Sequence, residues 1–330
     1  PTVAPTIDPS KIFSKSDFES ETAGTVSVGT NAKQDGDFKL TLNNGTVWNS
    51  QYANAAGDLV VKSDNTKYIS FNNSSGRGTR TAYAAFSSDE QKLNDDKKSV
   101  LECDFYMGGG AGSQFIVMDS SIGTPIGNGN YAGGNEIFAL YKTDANTLVT
   151  GIDGSDTSNA TTGYNSGWAH LKAVMDFADH TVVLKITSVD GATTYLNETK
   201  ISMKNQSATA IGKMFVAQPR AVGATFGVDN IMVRDVLDGD VAGVYYLATF
   251  VTPVDKTNNK ETTSINTSAL NGTTIKADAV PDTTNTGYIF KGWQKDDDTE
   301  TIYTTEQVLS TPLTADVKYT AVYEKDAEYI

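Results

Sequence analysis

The stretch GWAHLKAVMDFADHTVVLKITSVDG, residues 167–191, restricts what this chain can fold into more than any other part of it. Side chains of a strand alternate between its two faces. Trp168, His170, Lys172, Val174 and Asp176 therefore share one face, and Ala169, Leu171, Ala173, Met175 and Phe177 share the other. The ADH turn leads into a second alternating run that ends at VDG. This is the pattern of an antiparallel hairpin with one face against a core.

Similar short runs recur from Ile12 to Val236, among them DFKLTL, TKYISF, SVLECDFYM, SQFIVMD, EIFALYK and FGVDNIMVRDV, separated by clusters of Gly, Asn, Asp and Ser. Their number and spacing predict an all-β sandwich over residues 12–236. One polar stretch, SSDEQKLNDD (87–96), is expected to form a short helical turn. Three prolines mark residues 1–11 as an extended linker joined to something upstream. The segment LDGDVAG (237–243) breaks the strand pattern and is read as a second linker, with another domain over 244–330.

Lys plus Arg is 26 against 40 for Asp plus Glu, giving a net charge of −14 with no basic cluster to offset it. Nucleic acid and anionic membranes need a cationic footprint and are poor partners; neutral glycans suit the charge better than polyanions such as pectate. The single cysteine, Cys103, excludes an intrachain disulfide and a cysteine-built metal site, and its place in an alternating run predicts a buried, inert thiol. No apolar run approaches the ~18 residues of a spanning helix, so no membrane insertion is expected. The sequence shows no charged start followed by an apolar h-region, and it reads as a mature form or a segment of a longer protein. Richness in Thr, Asn, Ser and Gly points to an extracellular location, secreted or at a cell surface.

Only two histidines are present, His170 and His180, and no GxSxG motif accompanies either, which argues against a serine or cysteine triad. The run GGGAGS (108–113) lies between two strands and reads as a hairpin loop, not a phosphate cradle. Glycosidases need only two suitably spaced carboxylates, and a non-local pair stays open as an alternative.

A sugar presents apolar C–H faces ringed by hydroxyls, so its site needs an exposed aromatic ring beside planar hydrogen-bonding groups. Trp168 and Trp293 lie in segments whose family resemblances, given below, imply core positions. Trp48, followed by Tyr52, stands in the polar segment NNGTVWNSQYANAAGD, where alternation fails, and is expected to be exposed. Tyr131 and Asn135 lie in the Gly- and Asn-rich loop IGNGNYAGGNE, and Arg77 and Arg80 in SSGRGTRTAY can donate paired hydrogen bonds to vicinal hydroxyls. These six residues form the expected ligand-binding set. The expected function is non-catalytic binding of a neutral polysaccharide or oligosaccharide. A protein-binding adhesin or stalk segment and a glycosidase with a cryptic carboxylate pair are the alternatives.

The Trp168 hairpin and its VDG end resemble the corresponding segment of laminin-G-like and concanavalin-like jelly rolls, which include many carbohydrate-binding modules. FGVDNIMVRDV resembles the last strand of that fold and SDFES the first. In related modules a structural calcium often sits where those strands meet, so the resemblance implies one held by Asp17, Glu19 and Asp229. Oxygen ligands suit that hard cation. In the second domain, Gly287, Tyr288, Phe290, Gly292 and Trp293, with Thr314, Ala315, Asp316, Tyr319, Thr320, Ala321 and Tyr323, match GYxFxGW and TADxxYTAxY. These residues resemble a small β-grasp-like repeat of bacterial surface proteins, which implies a spacer or adhesive unit. The two domains together are similar to starch-adherence proteins of gut bacterial amylosomes. That resemblance implies an α-glucan ligand and other modules of a cell-surface complex as partners.

Overall fold

The computed structural model describes residues 7–26, 35–51, 59–72, 80–86, 97–108, 112–119, 136–143, 147–151, 162–218, 225–237, 239–241, 243–253 and 262–329. The chain divides into two compact units, the second taking in residues 198–202 and everything from Val241 onward.

The strands that precede the second unit are β1 (Ile12–Ser16), β2 (Asp35–Thr41), β3 (Val47–Gln51), β4 (Leu59–Ser63), β5 (Lys67–Asn72), β6 (Arg80–Ala85), β7 (Lys98–Met107) and β8 (Gln114–Asp119). They continue with β9 (Glu136–Lys142), β10 (Leu148–Thr150), β11 (Trp168–Asp176), β12 (Thr181–Ser188), β13 (Thr194–Ser202), β14 (Ile211–Gln218) and β15 (Thr225–Asp235). One sheet runs β13-β12-β11-β7-β15-β5-β4, with β1 also paired to β15, and the other runs β10-β9-β8-β14-β6-β3-β2. All these pairings are antiparallel, and the product is a jelly-roll β-sandwich.

The hairpin read from residues 167–191 is present, with His180 turning the chain at φ +51°. Leu101, Cys103 and Phe105 of β7, Leu171 and Met175 of β11 and Phe226 and Val228 of β15 are buried on the inner face. Phe115 of the second sheet meets them, its ring 6.3 Å from Phe105 and 6.1 Å from Phe226. Burial pushes the Cys103 thiol well above its ordinary range, and the carboxylates of Asp104 and Glu102 add to the shift. Cys103 is therefore an inert core residue.

The first strand is displaced from its expected place. β1 is Ile12–Ser16, and SDFES does not continue it, because Phe18 turns into the left-handed region (φ +57°) and buries its ring. The stretch 87–96 lies outside the described residues.

The second unit contains β16 (Tyr245–Pro253), β17 (Thr262–Leu270), β18 (Tyr288–Lys295), β19 (Asp298–Tyr303), a short helix α1 (Thr305–Ser310) and β20 (Val317–Lys325). Its sheet order is β17-β16-β20-β18-β19, with the first and last strands of the unit parallel at the centre, a β-grasp-like arrangement. Phe250 is the centre of its core, stacked on Tyr319 at 5.3 Å and meeting Trp293 edge-on at 4.8 Å. Trp293 donates its indole N–H to Thr305 at the start of α1, and Thr304 and Gln307 close a capping box there. No helix among the described residues is long and apolar enough to cross a membrane.

Candidate functional site

The outer face of the eight-stranded sheet collects the side chains that alternate away from the core. In register, Trp168 of β11 pairs with Tyr106 of β7, which pairs with Gly227 of β15, which pairs with Ser70 of β5. One step along, His170 pairs with Asp104, and Asp104 with Asp229. An aromatic row and an acidic row thus lie side by side on neighbouring strands.

Trp168, Tyr68 and Tyr106 form one aromatic cluster. The Trp168 ring meets Tyr68 edge-on, with centroids 5.0 Å apart and planes at 81°, and lies 6.1 Å from Tyr106. Tyr68 is held in turn, its hydroxyl donating to Asp64 at 2.9 Å. Burial and that bond to Asp64 push the Tyr68 phenol up to about 12. Trp168 stays partly exposed, whereas Trp48 and Trp293 are fully buried.

The acidic row is ordered from both sides. His170 Nδ1 lies 2.8 Å from one Asp104 oxygen, and Asn230 donates its side-chain N–H to the other at 2.8 Å. Asn230 owes its place to a β-bulge between Asp229 and Met232, where it takes φ +50°. Bulges re-aim side chains, and this one sets Asn230 beside Asp104. Asp229 accepts the Asn230 backbone N–H at 2.7 Å. Burial, with lesser repulsion from Asp104 and Glu19, nevertheless raises its carboxyl to about 6.

Below that row, Arg234 reaches Glu102 and makes two bonds of 2.7 Å to Asp240, while Lys172 approaches Asp240 to 2.6 Å. Burial disfavours the Asp240 charge, but the bonds from Arg234 and Lys172 outweigh it and hold the carboxyl down at about 2. This lower network is saturated with partners, and its polar atoms are already committed to one another.

Trp48 is not the exposed platform the sequence suggested. It sits in β3, paired with Leu40 and Ala84, and has no exposed surface, because the strand points it between the sheets. Trp168, for which the resemblance implied a core position, is instead on the outer face with His170 and Lys172. Tyr52, Arg77, Tyr131 and Asn135 lie outside the described residues, and Arg80 is described only as the first residue of β6.

Of the three residues named for calcium, Glu19 stands near enough to Asp229 to repel its charge, and Asp17 is paired elsewhere. Asp17 follows β1 and lies 3.7 Å from Lys15, Glu19 accepts the Lys67 backbone N–H, and Asp229 is in β15. Among the described residues no group of three or more His, Cys, Asp or Glu side chains is placed to hold a metal ion.

The face offers a partly exposed indole for an apolar sugar face, beside the polar side chains of His170 and Asn230, which are held by the buried carboxylates of Asp104 and Asp229 beneath them. These are the two components a carbohydrate site requires. No protein-family model matches the sequence, and no curated protein matches it. Among solved structures the chain is similar to a sialidase at 11% identity and TM-score 0.39, over 65% of this chain and only 19% of that one. It is also similar to lectin II from Ulex europaeus, at 12% identity and TM-score 0.40, over 64% of this chain and 99% of that one. Lectin I-B4 from Griffonia simplicifolia matches at 10% identity and TM-score 0.36, over 61% of this chain and 90% of that one. Identities and TM-scores of this order assign neither a ligand nor a reaction to this chain.

Proposed function

We infer that this protein binds a carbohydrate on the outer face of its eight-stranded sheet and carries out no chemistry on it. The observation that carries the reading is the partly exposed Trp168 ring, set between Tyr68 and Tyr106 and beside the His170–Asp104–Asn230 hydrogen-bonded group. An indole supplies the flat apolar surface on which a pyranose ring stacks. A net charge of −14 favours a neutral glycan over a polyanion.

An α-glucan is the first ligand to test, on the resemblance to starch-adherence proteins. The same resemblance supports an extracellular setting in which the second unit is a spacer beside other modules. Affinity at such a shallow face is modest, and neighbouring modules raise it through avidity.

Affinity electrophoresis in gels containing starch, xylan, mannan or pectin tests the reading. Retardation in a neutral-glycan gel, lost in Trp168→Ala with the melting temperature kept, is the expected result. Lack of retardation in every gel would favour an adhesin or stalk and overturn the binding reading.

One observation favours a second reading. Asp229, raised to about 6, lies opposite Asp104, whose oxygens are bonded by His170 and Asn230. A glycosidase works with two neighbouring carboxyls, and one held protonated to a higher pH, as Asp229 is, suits the role of acid. Release of reducing ends from a retained glycan, abolished by Asp229→Asn, would establish that reading in place of the first.

A further inference from the structure

A glycine in the middle of a central strand weakens that strand, because it has the most backbone freedom to lose and no side chain to pack. Gly227 is the third residue of the eleven-residue β15 and is paired on both sides, to Ser70 and to Tyr106. Its backbone does not need a glycine, since it is absent from the residues with positive φ. The reason for it is steric. A Cβ at this position would lie 3.0 Å from Cη2 and 3.2 Å from Cζ2 of Trp168, and 3.4 Å from Cδ2 of Tyr68.

Trp168 belongs to β11, two strands from β15, a distance of about 10 Å at ordinary strand spacing. Its indole crosses the β7 strand and comes to rest on the bare backbone of Gly227, with the Tyr68 edge as a stop. We propose that Gly227 is a positioning residue. Its missing side chain is the seat that holds the Trp168 indole in the orientation that meets a pyranose ring. The proposal rests on the carbohydrate-binding reading and adds to it a residue that never touches the glycan. A ring seated before the ligand arrives loses less freedom on binding, so the seat contributes to affinity through preorganisation.

The test uses the full chain with Gly227→Ala and Gly227→Val, and reads three quantities. Acrylamide quenching reports on Trp168, because the other two tryptophans are fully buried. Displacing the ring is expected to change the quenching constant in both variants, more in Gly227→Val. Retention in the glycan gel is expected to fall about tenfold in Gly227→Ala, by the loss of a preorganised contact. The melting temperature of Gly227→Ala is expected to hold or rise, since alanine suits a strand better.

A structural role alone would move the melting temperature and leave retention unchanged. Should Gly227→Val fail to fold, a double-mutant cycle with Trp168→Phe decides the matter. The smaller ring leaves room for a Cβ, so Gly227→Ala is expected to cost nothing further in that background. Unchanged quenching and retention in Gly227→Ala overturn the seat while leaving glycan binding intact. A wild-type chain retained by no gel overturns the binding reading, and presentation of the ring to a sugar falls with it.

Discussion

Asp240 grips Arg234 through two hydrogen bonds of 2.7 Å, one to each terminal guanidinium nitrogen, with both side chains nearly out of solvent. A fork-to-fork pair of this kind is the strong form of the Arg–carboxylate interaction. Its value lies less in the pair itself than in what breaking it leaves behind. Asp240→Ala leaves Arg234 buried with Glu102 as its remaining carboxylate and strips Leu237 N–H of its acceptor. Removing one partner of a buried pair costs about 3 kcal/mol. Urea unfolding of the variant is expected to show a loss of that size, and an unchanged midpoint would mean that the pair contributes nothing.

Two carboxyls on the same face respond to pH in opposite senses. Asp240 is held down at about 2, so its contribution is complete above the unfolded value near 3.8 and is lost as pH falls toward 2. Asp229 is raised to about 6, so its contribution is complete below the unfolded value near 3.8 and is lost as pH rises through 6. At neutral pH a charged Asp229 therefore destabilises the fold. A shift of this size corresponds to roughly 2–3 kcal/mol. Asp229→Asn, which can still accept the Asn230 N–H, is expected to melt higher than wild type at pH 8, with the gap closing toward pH 4. A gap that stays constant with pH would show that Asp229 titrates normally.

The outer face was partly readable from the sequence. Alternation alone puts Trp168 with His170, Lys172 and Asp176, all on the face that turned out to be open. The resembling fold has its strand tryptophan in the core, and that resemblance concealed the partly exposed ring of Trp168. Trp48 departs from expectation in the opposite direction. Polar Asn and Gly neighbours concealed a five-residue strand in which Trp48 points inward between partly exposed Val47 and Asn49. Asn230 could not be anticipated, because a bulge adds one residue without changing composition. The opposition of Asp104 and Asp229 depends on register between strands more than a hundred residues apart. In the second unit the opposite held: Phe290, Trp293, Tyr319 and Tyr323 of the motif pack together or against Phe250, so the motif records a core.

The burial of Trp48 makes its own test. Among the described residues its indole N–H has no hydrogen-bond partner, so Trp48→Phe removes an unsatisfied donor along with some packing. Those effects oppose each other, and a net cost below about 2 kcal/mol is expected, whereas Trp48→Ala opens a cavity and costs about 3–5 kcal/mol. Glycan retention by Trp48→Phe is expected to match wild type. Loss of retention with unchanged stability would return Trp48 to the binding site.

Gly292, next to Trp293 in the motif, separates backbone demand from packing in the second unit. It has φ +140°, a conformation L-residues rarely adopt, at a bulge between Phe290 and Gly292 of β18. A Cβ there would also stand 2.6 Å from the Tyr303 carbonyl oxygen and 2.6 Å from Ile302 Cγ2 of β19. Backbone oxygen cannot move aside as a flexible side chain can, so both the strain and the clash fall on Gly292→Ala. The expected cost is on the order of 2 kcal/mol. Because the chain forms two compact units, scanning calorimetry is expected to show the transition of the second unit lowered and that of the sandwich unmoved. Glycan retention by the folded variant at low temperature should then equal that of wild type, since the proposed site lies wholly on the sandwich. A parallel drop in retention would place part of the ligand's contacts in the second unit and make it more than a spacer.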